Sequence, residues 1–221
     1  MKKRFILINF KQYEKASLDR ARNLLLEFSS IDIPSGLFLG FAVPAYDLFL
    51  KREFPNLGII SQHVDCVPFG AHTGQISMDA LMKIGITGSL LNHSERRVSA
   101  ENIKCTLRRA GESNFDIFLC VEGAEEARSY SEMGARFISY EPPELIGGDV
   151  SVSTAKPTVI EEVVSSCSGK GSTVLVGAGI KTPADVSKSI ELGAGGVLVA
   201  SGVVLAADPV KVLNGFIEAV R

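Results

Sequence analysis

Ile138-Ser-Tyr-Glu141-Pro-Pro-Glu144-Leu-Ile-Gly147-Gly148-Asp149 begins as a strand and ends as something else. Ile138 to Tyr140 is a short apolar run. Directly after a carboxylate, Pro142 and Pro143 forbid both helix and ladder continuation. No helical periodicity returns until about Thr154, well beyond the usual connection length. Long loops inside compact domains tend to be lids or binding loops. This reading puts Glu141 at the mouth of a strand, under a covering segment; a surface turn with a solvated Glu is the alternative.

The same strand, loop and helix unit recurs on both sides. Phe5–Ile8, Leu37–Phe41, Leu57–Ser61, Ile86–Leu91, Phe115–Val121, Arg136–Tyr140, Thr173–Val176 and Gly196–Val199 are short apolar runs of the kind buried parallel strands show. Helical spacing predicts helices from Ser17 to Phe28, Pro44 to Arg52, Ser77 to Ile84, Ala100 to Ala110, Ala124 to Met133 and Pro157 to Cys167. Two more are predicted from Thr182 to Leu192 and from Asp208 to the C-terminus. Gly85, Gly111 and Gly134 are the expected stops, and Thr182-Pro183 an N-cap with a first-turn proline. Without a linker or composition break, this alternation predicts one α/β domain over residues 1–221, a single closed parallel (β/α)8 barrel. An open doubly wound sheet is the rival. It more often carries a Gly-rich fingerprint after its first strand, where this chain has Asn9-Phe-Lys11.

The 221 residues, 46% hydrophobic with a net charge of −2, suit a soluble globular protein and give no support for nucleic-acid or membrane binding. The basic head Met1-Lys-Lys-Arg4 precedes too short an apolar run for a signal peptide or membrane span. Cys66, Cys105, Cys120 and Cys167 show neither C-x-x-C nor metal spacing, so a reduced, cytoplasmic protein is expected, with no disulfide framework and no zinc.

In a closed barrel the strand ends converge on one face. Those ends supply Asn9 and Lys11, His93, Glu141, Gly177 to Gly179, and Ala200 to Gly202. They offer a base, an electrophile, a cation and two Gly-rich turns, the inventory for proton transfer on a phosphorylated carbonyl compound. Lys11 alone reads equally as a rim lysine, and His93 as a structural histidine. If Ser94 and Glu95 open a helix, its N-terminus would favour a neutral imidazole. Arg97 reads as part of a solvated charge cluster. The turns after the seventh and eighth strands are where barrels commonly hold phosphate, and Val203-Val-Leu205 is the candidate short helix there. His63 and His72 have no ligand spacing, and Cys120 reads as packing near the site rather than as a nucleophile.

Asn9-Phe-Lys11, Asn92-His-Ser-Glu-Arg-Arg97, Tyr140-Glu-Pro142 and Leu145-Ile-Gly147 together resemble the signature of the triosephosphate isomerase family. Gly70-Ala-His-Thr-Gly74-Gln-Ile-Ser77 is similar to that family's dimer loop. The short helices and the lid without tryptophan resemble its compact archaeal-type branch. The resemblance implies a TIM barrel that interconverts dihydroxyacetone phosphate and D-glyceraldehyde 3-phosphate in glycolysis and gluconeogenesis, without cofactor or metal. It implies Glu141 as the base, neutral His93 polarising the carbonyl, Lys11 stabilising the enediolate and phosphate, Asn9 ordering Lys11, and Glu95 in support. Phosphate would be held by Gly147, Gly179, Ala200 and Ser201. The partners implied are a small phosphorylated triose and further copies of the chain, in a dimer or tetramer formed through Gly70 to Ser77. Glu144 and Asp149 depart from a neutral anion grip and are expected to point outward. A catalytically silent phosphosugar-binding barrel and a Schiff-base enzyme using Lys11 are the competing functions.

Overall fold

The computed structural model describes residues 3–142 and 157–221. Gly147 therefore lies outside the described residues, as do Glu144, Gly148 and Asp149. Eight parallel strands pair in chain order: β1 Arg4–Asn9, β2 Leu37–Val43, β3 Gly58–Ser61, β4 Gly88–Leu91, β5 Asp116–Val121, β6 Phe137–Tyr140, β7 Thr173–Val176 and β8 Gly196–Val199. β8 returns to β1 and closes the barrel; Leu7 lies opposite Gly40 on one side and Leu198 on the other.

The helices among the described residues are α1 Asp19–Phe28, α2 Met78–Lys83, α3 Ala100–Ser113, α4 Ala124–Glu132, α5 Pro157–Ser166, α6 Pro183–Glu191, α7 Ser201–Val204 and α8 Pro209–Ala219. Thr182 caps α6 as expected, in a reciprocal capping box with Asp185. Gly85 (φ 86°) and Gly134 (φ 90°) take the left-handed positions that follow α2 and α4.

Two helical expectations need correction. The segment after Pro44 is a 3-10 helix, Ala45–Arg52, because Pro44 offers no side-chain cap and i to i+3 bonds such as Asp47 N–H to the Pro44 carbonyl tighten it. Gly111 does not stop α3. The helix continues to Ser113, and Asn114 at φ 52° turns the chain so that Phe115 enters the core.

Side-chain alternation divides the apolar residues into two layers. Phe5, Leu7, Ala42, Ile60, Leu90, Phe118, Cys120, Phe137, Leu175 and Leu198 fill the barrel interior. Ile6, Ile8, Phe41, Ile59, Leu91, Ile138, Val176 and Val197 face the other way and pack against the helices. The floor is aromatic, with Phe5 edge-on to Phe137 at 4.9 Å between ring centroids and Phe38 stacked on Phe118 at 6.2 Å. Lys3 lies 5.5 Å from the Phe5 and Phe38 centroids. Carried upward by the same alternation, Phe5 and Leu7 lead to Asn9, Ile60 to Gln62, Phe137 to Glu141, Leu175 to Gly177, and Leu198 to Ala200. The period of two therefore places these five residues at the mouth.

The cysteines depart from expectation. Cys66 and Cys105 form a disulfide with Cα atoms 5.9 Å apart, while Cys120 and Cys167 are free and buried. Spacing could not reveal the pair, because it links the long loop after β3 to α3, two segments that meet only once the barrel has closed. The same loop is held by Asp65, whose N–H bonds the Ile76 carbonyl at 2.8 Å and whose Oδ2 accepts the Ile76 N–H at 2.7 Å. Cross-linking residues 39 apart in sequence removes loop-closure entropy from the unfolded chain. Cys105→Ser is expected to fold to the same barrel but lose about 3–4 kcal/mol of unfolding free energy, measurable by urea denaturation of the oxidised protein and the variant.

Candidate active site

Asn9, Lys11, His93, Glu141, Gly179, Ala200 and Ser201 line one cleft at the strand C-termini. At one wall Asn9, 4% exposed, accepts the Lys11 N–H through Oδ1 at 2.9 Å. Lys11 itself has φ 47°, a left-handed conformation that a lysine adopts at a cost. Gln62 helps hold that geometry. Its Nε2 lies 3.0 Å from the Lys11 carbonyl, 3.1 Å from the Ala42 carbonyl and 3.2 Å from Asn9 Oδ1.

From this wall a line of charged and polar groups crosses the mouth. Lys11 Nζ meets Glu95 Oε1 at 2.7 Å, and Glu95 Oε2 lies 3.6 Å from His93 Nδ1. On the other side of the ring, His93 Nε2 is 3.5 Å from Glu141 Oε1. His93 and Glu141 are both buried, at 7% and 4% exposure.

The imidazole's protonation follows from its partners. The Glu95 backbone N–H donates to Nδ1 at 3.2 Å. A backbone N–H can only donate, so Nδ1 must accept, and the ring is neutral with its proton on Nε2, on the Glu141 side. The expected helix at Ser94 does not form: Ser94 and Glu95 make a turn, and α3 starts at Ala100 with Ser99 as its cap. One amide, rather than a helix terminus, specifies the tautomer.

Glu141 leaves β6 buried against the cleft wall. Its N–H is bonded to the Val121 carbonyl at 2.9 Å, and its Oε2 is buried with no hydrogen-bond partner among the described residues. Burial, then the charge of Glu141, push the neighbouring Cys120 thiol well above its ordinary range. Cys120 is therefore a packed, protonated thiol and not a nucleophile. Arg97 is more than a solvated charge: it pairs with Glu122 at 2.5 Å and donates to the Asn92 carbonyl at 3.1 Å. The candidate phosphate helix is Ser201–Val204, two residues earlier than expected at its start. A Cβ on Gly202 would fall 2.7 Å from the Ile180 carbonyl, so the loops after β7 and β8 meet there. Among the described residues no cluster of three or more His, Cys, Asp or Glu could hold a metal ion.

The family model described as triosephosphate isomerase matches residues 4–218. The chain is 48% identical to the triosephosphate isomerase of Thermoplasma volcanium, with 96% of this chain and 99% of the relative aligned. It is 40% identical to that of Saccharolobus solfataricus (98% and 96%) and 35% identical to that of Methanothermus fervidus (98% and 99%). The chain belongs to the triosephosphate isomerase family. It is an isomerase with that family's reaction, the interconversion of dihydroxyacetone phosphate and D-glyceraldehyde 3-phosphate.

Viewed as a triosephosphate isomerase fold, the site holds one residue outside the strand-tip set, Gln62, and gives Gly177 within that set a further role. Gln62 is the first residue after β3 and the third polar amide at a strand end, the signal that selected Asn9. Gly177 opens the Gly-rich turn after β7 expected to hold phosphate, and its place there is steric as well. A Cβ there would lie 2.5 Å from Glu141 Cγ and 3.1 Å from Oε1. Since nothing short of moving Glu141 relieves that contact, Gly177→Ala is expected to lower kcat about a hundredfold with KM little changed, which steady-state kinetics on a folded variant checks.

Proposed function

We propose that Glu141 is the base of the isomerisation, with His93 as the electrophile and Lys11 as the fixed cation. The carrying observation is the convergence of a buried carboxylate with an imidazole constrained to be neutral. In this reading Glu141 removes a proton from one carbon of dihydroxyacetone phosphate, and the electron pair moves into the carbonyl to form an enediolate. The hydroxyl proton on the first carbon passes to the oxyanion on the second, with His93 Nε2 between them. The same carboxyl returns the carbon-bound proton to the second carbon as the carbonyl re-forms on the first. His93, donating from Nε2, stabilises the developing oxyanion, and Lys11 offsets its charge and that of the phosphate. Asn9 fixes the Lys11 backbone, and Glu95 ties Lys11 to His93. Gly179, Ala200 and Ser201 offer backbone to the phosphate, and Gly147, outside the described residues, is the fourth member of the proposed grip. An enediolate beside a phosphate tends to expel it, so water must be kept from the intermediate. Lys11 is engaged with Glu95, an arrangement suited to a fixed cation rather than to a Schiff-base amine.

Glu141→Gln is expected to keep the fold and lower kcat on the order of a thousandfold; full activity in a coupled triose phosphate assay would remove Glu141 as the base.

The active form is a homo-oligomer in which Thr73, exposed on the Gly70 to Ser77 loop, reaches a partner's site. A cleft of about 260 Å³ beside Lys11, lined also by Gln62, His63, Glu95 and Arg96, can receive such a loop. Phe49 and Phe69 are 62% and 61% exposed, unusual for phenylalanines on a free surface. Thr73→Arg is expected to shift sedimentation toward monomer and lower activity together; a fully active monomer would contradict this assembly. A charged triose phosphate does not cross membranes unaided, which supports a cytoplasmic place of action. The Cys66–Cys105 bond is then a cytoplasmic disulfide, a class best known from heat-adapted organisms.

A further inference from the structure

Along β4 the alternation sends Leu90 into the barrel and Leu91 into the helical layer. A strand continued two residues further would turn His93 outward with Leu91. His93 instead lines the cleft. The residue between them, Asn92, takes φ 61°, a left-handed conformation that breaks the alternation. Asn92 is 3% exposed, and both ends of its carboxamide and its backbone carbonyl are engaged. Its Nδ2 donates to the Cys120 carbonyl on β5 at 3.0 Å, and its Oδ1 accepts the Val98 N–H at 3.1 Å. Its own carbonyl accepts from Arg97 Nη1 at 3.1 Å. One side chain thus closes the loop 92–98 on itself and fastens it to the strand whose Cys120 lies beside Glu141.

We propose that Asn92 is a positioning residue for the isomerisation: its left-handed turn, locked by both ends of its carboxamide, aims His93 into the cleft and ties it to the wall that carries the base. A glycine would permit the turn without locking it, and alanine would strain it. Asparagine is among the few side chains that tolerate this backbone and also spend both polar atoms on it. The proposal rests on the roles assigned above to His93 and Glu141.

The test uses the full-length protein, with Asn92→Gly and Asn92→Asp set beside His93→Gln. Asn92→Gly keeps the backbone freedom and loses both side-chain bonds. The isosteric Asn92→Asp keeps an acceptor for Val98 but loses the donor to Cys120, and it decides the matter if the glycine variant does not fold. Each Asn92 variant is expected to lower kcat about tenfold. KM and inhibition by inorganic phosphate should stay within about twofold, because the anion grip is untouched. The 15N resonances of His93, with Nδ1 unprotonated in the wild type, should shift or broaden. A folded variant with kcat within about twofold of wild type overturns the proposal. So does a loss of kcat or of thermal stability with the His93 resonances unchanged, since the effect would then bypass the ring. If His93→Gln is fully active, the reading of the site itself fails. If it is inactive and the Asn92 variants are not impaired, only the role of Asn92 falls.

Discussion

Closure of the sheet is the constraint on which everything else depends. Each strand is hydrogen-bonded to two neighbours, so no edge remains and every strand's alternation is locked to the next. A slip of one residue in β6 would exchange Glu141 with Pro142 at the mouth and turn Phe137 away from the aromatic floor. The apolar packing below thereby sets the position of polar groups above it. Phe5, Phe118 and Phe137 hold the register, and Asn9, Cys120 and Glu141 inherit it.

Above this floor the site is a chain of alternating charge and neutrality. Lys11 meets Glu95, Glu95 flanks His93, and His93 faces Glu141. If the imidazole were charged, it would pair with the Glu141 carboxylate. The Glu95 amide, donating to Nδ1, is matched to the neutral ring. Two left-handed residues, Lys11 and Asn92, mark where the chain leaves regular strand geometry to present functional groups. Backbone strain of this kind persists only where neighbours over-determine it. Gln62 does so for Lys11, and the Asn92 side chain does so for its own turn.

Much of this was legible in the sequence, because strands of four to seven mostly buried residues and the glycines and capping residues between them are local signals. All eight strand runs overlap the observed ones, and Thr173–Val176 and Gly196–Val199 coincide with them. The strand-tip list brought Asn9, Lys11, His93, Glu141, Gly179, Ala200 and Ser201 to one cleft. What escaped was non-local. The Cys66–Cys105 pair depends on a loop folding back onto α3, and the steric demand on Gly177 on where Glu141 turns after β6. The stop of α3 was misplaced because Gly111 looks locally like a terminator, whereas burial of Phe115 decides where the helix can end. Triosephosphate isomerase motifs identified the residues; they did not show that the neutral imidazole is set by one amide rather than by a helix.

The aromatic floor also has a bearing on traffic. With Phe5, Phe118, Phe137 and Leu175 filling the interior, the barrel is blind at its far end. Reactant must enter and product must leave through one doorway, in turn. Whatever guards that doorway governs both directions of flow, so an obstruction there would slow arrival and departure alike.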